Sequence, residues 1–340
     1  MCSYFFLRIE CSQALHRQEG EHLYDLFWMC VIFVFVEMEW NGTLMLGLGG
    51  YVEIEKYRYV YMTFFMALYV LILCSNCVII CVIWIHRNLH EPMYVFIAAL
   101  SLNSLVFSTA IYPKLIVDVL SQQQRISYWG CLVQIFIFYS LAGSDLMLLS
   151  AMAYDRYVSI CRPLQYATTM GTTTVRVFLA LAGFLPACHL SVAIIIQSKQ
   201  KICSFTLEGI FCNTTMIKIH CTTPFQLIVF TFTGVTCMTV IPALFILFTY
   251  IKIFIAAYRS QGEVRKKAID TCLPHLIVLI TFTCLVFFDV AIGLLESVLP
   301  KTVRLIMSLQ IVVYNPLFNP IIYGLKMKEI RKHIKRLLLF

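Results

Sequence analysis

Charged residues are scarce in this sequence. Asp, Glu, Lys and Arg make up 13% of its 340 residues, hydrophobic side chains make up 60%, and mean hydropathy is +0.83. A water-soluble domain carries about 25% charge, so the chain has too little polar surface to cover itself in water. That shortage excludes the pair of soluble domains its length would suggest. It also excludes intrinsic disorder, coiled coil and collagen. No internal repeat is found, which speaks against a transporter built from inverted halves. The short alternating strands of a membrane β-barrel are missing as well.

What the sequence has instead is long uncharged runs. Residues 59–85, 93–113, 177–198, 219–251 and 305–325 contain no Asp, Glu, Lys or Arg. Residues 126–154 are broken only by Asp145, and residues 271–295 only by Asp289. A membrane helix needs about 20 apolar residues, and lipid-exposed backbone must satisfy its own hydrogen bonds, so these runs predict helices. The expected fold is an all-α membrane protein, a seven-transmembrane helix bundle over residues 59–325, with Pro224 as a start for the fifth helix.

The net charge of +8 would suggest nucleic acid in a soluble protein. Its location says otherwise. With the N-terminus outside, fifteen of the 26 basic residues and five acids fall on the inner face, which sums to +10. The outer segments balance, and Asp145 and Asp289 lie within the spans. The excess is therefore the positive-inside signal, placing the N-terminus outside and the C-terminus inside, with membrane lipids and no nucleic acid as partners. The tail, residues 326–340, sets Ile330, Ile334, Leu337 and Leu338 at helical spacing among basic residues. It is expected to be a short amphipathic helix on the inner leaflet.

The first 37 residues fit this plan poorly. Residues 26–36 form an apolar run too short to span, with no basic segment before it and no small-residue cleavage site after it. Met38 opens a short polar stretch with an Asn41-Gly42-Thr43 acceptor. Met38 is the expected natural start, residues 1–37 an N-terminal extension of the gene model, and residues 38–58 an extracellular N-terminus.

The third span closes on Met152-Ala153-Tyr154-Asp155-Arg156-Tyr157-Val158-Ser159-Ile160-Cys161, followed by Pro163-Leu164-Gln165-Tyr166. An Arg beside an Asp at the end of a central helix can pair in one state and release in another, which suits a switch. The ten-residue run resembles the signature of vertebrate olfactory receptors, within the rhodopsin-like G protein-coupled receptors. Leu89-His90-Glu91-Pro92-Met93-Tyr94, Gly130-Cys131-Leu132-Val133-Gln134, the stretch from Lys267 to Leu276 and Asn319-Pro320-Ile321-Ile322-Tyr323-Gly324 resemble further motifs of that family, in order and spacing. Pro274 departs from the usual sixth-helix motif. Asn103-Ser104 and the Tyr112-Pro113-Lys114 turn resemble fish-type members. The resemblance covers about residues 38–340.

Of 15 cysteines, Cys131, Cys203, Cys212 and Cys221 fall on the oxidising side, where three pairings are open. The resemblance implies Cys131–Cys212 and Cys203–Cys221. It also implies a switch set of Asp155, Arg156, Tyr157, Tyr250, His275, Asn319, Pro320 and Tyr323. Asn41 and Asn213 carry glycosylation sequons. Position within the matched motifs points to Phe138, Tyr139, Ala142, Gly143, Thr231, Met238, Val286 and Val312 as the lining of a ligand cavity between helices three, five, six and seven.

Intramembrane charges are costly and mark function by default. Asp145 lies about 15 Å from Asp155 at ~1.5 Å per residue, near the midplane, where Asn76, Ser104, Asn315 and Asn319 can join it. Rhodopsin-like receptors hold sodium in such a cluster. Here Ser104 replaces the usual second-helix Asp, so Asp145 is left as a lone carboxylate for a sodium ion. Asp289 sits near the outer rim of the sixth helix. It is expected as an exposed interfacial carboxylate, with a cationic ligand group as the alternative partner.

The resemblance implies an odorant receptor of the plasma membrane. It would bind a small extracellular odorant, activate a heterotrimeric G protein that raises cyclic AMP, use no cofactor and catalyse nothing. A receptor for a different small ligand is the runner-up. An intramembrane aspartyl protease would need Asp145 and Asp289 at one depth, and a retinal-binding opsin would need a Lys in the seventh span, where residues 305–325 have none.

Overall fold

The computed structural model describes residues 44–222, 225–259, 262–295 and 298–338. The expectations for residues 1–37, Met38, Asn41 and Pro224 lie outside them. The uncharged runs form seven long helices. These are α1 (Ile54–Ile85), α2 (Pro92–Leu120), α3 (Tyr128–Cys161) and α4 (Thr172–Ser198). The helix α5 runs from Phe225–Val235 through a π-helical turn, Thr236–Val240, into Ile241–Arg259. They are completed by α6 (Gly262–Leu295) and α7 (Lys301–Lys326). Five described helices are long and apolar enough to cross a membrane, and α7 is a sixth when its halves, bent by 45° around Asn315, count as one span. Pro316 and Pro320 lie inside α7 and remove two backbone donors there, which accounts for the bend. In α6 the described apolar stretch is Leu276–Val286.

The packing follows from how apolar each helix is all round. The most hydrophobic stretches of α2 and α3 are 67% buried, that of α4 only 22%. Thus α2 and α3 form the centre, with α1, α4 and α5 around them. The peripheral helices leave Val70, Phe184, Phe232 and Phe248 exposed, as expected of surfaces whose solvent is lipid. The main core runs from Ile79 and Val82 through Leu100 and Met152 to Tyr250 and Tyr323.

One end of the bundle is closed by a small sheet. The strand β1 (Met45–Leu48) pairs antiparallel with β2 (Arg125–Ser127) and parallel with β3 (Thr206–Leu207). Just after β1, Gly50 meets the backbone of Gly209, and a Cβ there would lie 2.4 Å from the Gly209 carbonyl carbon. Only glycine admits that approach. Beneath the sheet, Leu46, Ile126, Leu132, Leu207 and Met216 form a second apolar cluster.

One local expectation, the Tyr112-Pro113-Lys114 turn, needs correcting. Pro113 is not in a turn. It lies inside α2, which runs on to Leu120. Lys114 does not end the helix because it bonds Asp118 Oδ1 at 2.8 Å and the Arg125 carbonyl at 2.6 Å. The tail is helical as expected, as α8 (Lys328–Leu338). It buries Ile330 and His333 and leaves Lys328, Arg331, Lys332, Lys335 and Arg336 exposed.

Candidate functional site

The two ends of the bundle carry different chemistry. At the end away from the sheet, Asp155 is fully buried. Its Oδ2 accepts from Arg156 through Nε at 2.9 Å and through a second guanidinium nitrogen. Its Oδ1 accepts from the Tyr166 hydroxyl at 2.8 Å. Burial, with the Asp155 charge beside it, pushes the Tyr166 phenol well above its usual range, so Tyr166 stays a donor. Tyr157 lies under the Arg162 guanidinium, 5.9 Å from ring centroid to charge. Tyr250 and Tyr323 are buried in the same core cluster. The Tyr250 hydroxyl has no hydrogen-bond partner among the described residues.

Midway, Asp145 is buried and its Oδ1 accepts from Asn103 Nδ2 at 2.9 Å, while Asn103 also reaches Ser144 at 3.0 Å. Asn76 Nδ2 donates to the Ile72 and Pro316 carbonyls, at 3.0 and 2.9 Å, tying α1 to the proline bend of α7.

At the sheet end, disulfides join Cys131 to Cys212 and Cys203 to Cys221. The first pins the loop between α4 and α5 to the start of α3, helped by Gln134 Oε1 accepting from the Cys212 N–H at 2.9 Å. The loop then forms a 3-10 helix, Thr214–Ile219, packed on α6. Below it, Asp289 of α6 is 7% exposed and its Oδ2 accepts from the Tyr139 hydroxyl at 2.9 Å. Thr214 Oγ1 reaches the Asp289 backbone carbonyl at 3.4 Å. Phe138 touches Tyr139 edge-on at 4.7 Å, Phe211 of the loop at 5.5 Å and Phe107 of α2 at 5.4 Å.

The family model described as olfactory receptor matches residues 65–340. The chain is 34% identical over 304 residues to olfactory receptor 11A1 of Homo sapiens, covering 85% of this chain and 92% of that one. It is 34% identical over 300 residues to human olfactory receptor 10K1, covering 84% and 92%. With olfactory receptor 1500 of Rattus norvegicus identity is 32% over 307 residues, covering 88% and 96%. The chain belongs to the olfactory receptor family. As an olfactory receptor it is a multi-pass protein of the plasma membrane and not an enzyme.

The receptor's geometry sorts the residues read from its sequence. Of the ligand-cavity set, Phe138, Tyr139 and Asp289 come together. Thr231 is exposed and stands apart from that buried group, because α5 is peripheral. Gly143 faces α4 instead, where a Cβ would lie 2.9 Å from Pro186 Cβ. Ala142 and Val286 are half-buried against the main core. Met238 is half-buried in the π-helical turn. Val312 is buried, and its carbonyl accepts from Tyr112 at 3.3 Å. Asp289 is not the exposed carboxylate expected: counting along the helix gave its height but not the side it faces.

In the polar cluster, Ser104 bonds back to the Leu100 carbonyl of its own helix at 3.0 Å. The second-helix residue that meets Asp145 is Asn103. Asn319 is buried, and Pro320 with it. The side chains of Asn315 and His275 lie outside those described. Asn213 is 1% exposed, and its Oδ1 accepts from the Thr215 N–H at 3.1 Å and hydroxyl at 2.8 Å. The folded loop thus encloses the Asn213 side chain. The residues missed were Asn103, Tyr166, Phe107, Phe211 and Thr214. Tyr166 stood in the matched motif without a role, and the two Phe lay on elements not counted as lining.

Proposed function

We propose that this olfactory receptor binds a small odorant within the bundle at the disulfide end and activates a heterotrimeric G protein of the cyclic-AMP-raising type from the Arg156 end. The disulfides and the charge distribution support an extracellular sheet end and a cytoplasmic Arg156 end. The observation that carries the mechanism is the enclosure of Asp155 by Arg156 and Tyr166. Both carboxylate oxygens are occupied, so Arg156 is held by a fixed partner in this state. The hydroxyl of Tyr250, which has no hydrogen-bond partner among the described residues, is a natural alternative partner for Arg156 once that pairing opens. An odorant acts only through its preference for one of the two states. At the other end it touches Tyr139 on α3 and Asp289 on α6, the two helices whose separation would expose Arg156. Tyr157, Asn319, Pro320 and Tyr323 belong to the same moving end.

The midplane cluster does not suit a resident sodium ion. Asn103 turns an N–H donor toward Asp145, where a cation would need further oxygen ligands. The basic face of α8 is read as a contact for inner-leaflet lipid and G protein, with no nucleic acid.

The test is a cyclic AMP assay in cells expressing the full chain, screened with amines, amino acids, bile acids and volatile odorants. A response that disappears when the olfactory G protein is deleted supports the reading. A response that persists without it contradicts it.

A further inference from the structure

The geometry points to an organic ammonium as the ligand class of the site formed by Asp289, Tyr139 and Phe138. This rests on the reading that the disulfide end holds the ligand. Asp289 is more than nine-tenths buried. Tyr139 satisfies Oδ2, but Oδ1 is buried with no hydrogen-bond partner among the described residues. No Lys, Arg or His forms an ion pair with Asp289 among them either. A carboxylate enclosed in a membrane protein without a cation is costly, and one hydrogen bond does not offset that cost.

The surroundings complete a pattern. Aromatic faces attract a cation within about 6 Å of the ring centroid, and Asp289 sits beside the Tyr139–Phe138–Phe211 group of rings. The loop segment carrying Thr214 reaches the Asp289 backbone carbonyl and is fastened to α3 by Cys131–Cys212. An alkyl- or arylammonium brings a compact positive charge and N–H donors for Oδ1, with an apolar body for the rings. A carboxylic acid would meet repulsion. A neutral alcohol of the same shape would gain a single hydrogen bond to the carboxylate without the ion pair.

The experiment pairs ligands that differ only in the charged group. Purified full-length receptor in lipid nanodiscs is titrated with cyclohexylamine and 2-phenylethylamine, and with cyclohexanol and 2-phenylethanol, reading the shift in unfolding temperature. The expected result is that the amines act at concentrations on the order of tenfold or more below their alcohol twins. D289N should abolish that preference, and D289E should restore part of it. Surface-expressed and detergent-extracted levels of both variants report folding. Equal action of amine and alcohol, no binding of either amine, or a preference that survives in D289N would overturn the proposal. The cyclic AMP assay separates the two claims. Responses to neutral odorants without amine preference leave the receptor reading standing and overturn the ammonium site. Amine binding without G-protein-dependent cyclic AMP does the reverse.

Discussion

Asp155 divides its two oxygens between Arg156 and Tyr166, so under the proposed mechanism the Tyr166 hydroxyl helps hold the resting state. A hydrogen bond to a charged group is worth about 1.5–3 kcal/mol. Tyr166→Phe removes it and should raise basal cyclic AMP by roughly tenfold at equal surface level, whereas unchanged basal signalling would remove Tyr166 from the switch. His220 makes a second prediction. Burial holds its imidazole below the ordinary range, so the fold favours the neutral ring. The unfolded chain takes up its proton near pH ~6.5. The stabilisation is therefore complete above that pH and is lost as pH falls toward the folded value. The unfolding temperature of purified receptor should drop between pH 7 and about 5, and His220→Gln should flatten that dependence. At this scale the sequence told heights and little else. Asp145 and Asp289 could be placed along their helices by counting, but a partner depends on rotation about the axis. That is why Asn103 took the place expected of Ser104, and why Asp289 proved enclosed.

Elements were more legible, because an uncharged run of membrane length has few alternatives to a helix. Their ends were less so. Lys114 looked like a boundary, yet a Lys that pairs with Asp118 one turn on can stay in the helix. The loop over the disulfide end was readable only as cysteine spacing, since its sheet depends on a parallel partner far along the chain. Two tests belong here. Gly50→Ala would drive a Cβ into the Gly209 backbone, and it should cost about 1–3 kcal/mol, seen as a lower unfolding temperature. Replacing Cys203 and Cys221 together by Ser opens a loop of 18-residue separation. It should cost roughly 3 kcal/mol and reduce the receptor at the cell surface, as flow cytometry would show. Normal trafficking and stability would mean the bridge is dispensable.

Over the whole molecule, the scarcity of charge and its uneven placement form one design. Charge is withheld from the spans and the net positive charge is gathered on one face, while Asp145 and Asp289 stand enclosed within the otherwise uncharged runs, at different depths and with different partners. Asp289 lies among aromatic rings at the end closed by disulfides, and Arg156 lies caged at the other. Under the proposed mechanism a ligand at the first end frees Arg156 at the second. The most direct measurement is ligand-dependent recruitment of the G protein, read by energy transfer in living cells, for wild type and Arg156→Ala at matched surface expression. Recruitment is expected in the wild type and its loss in Arg156→Ala, with ligand binding retained. Recruitment undiminished in Arg156→Ala would contradict that mechanism.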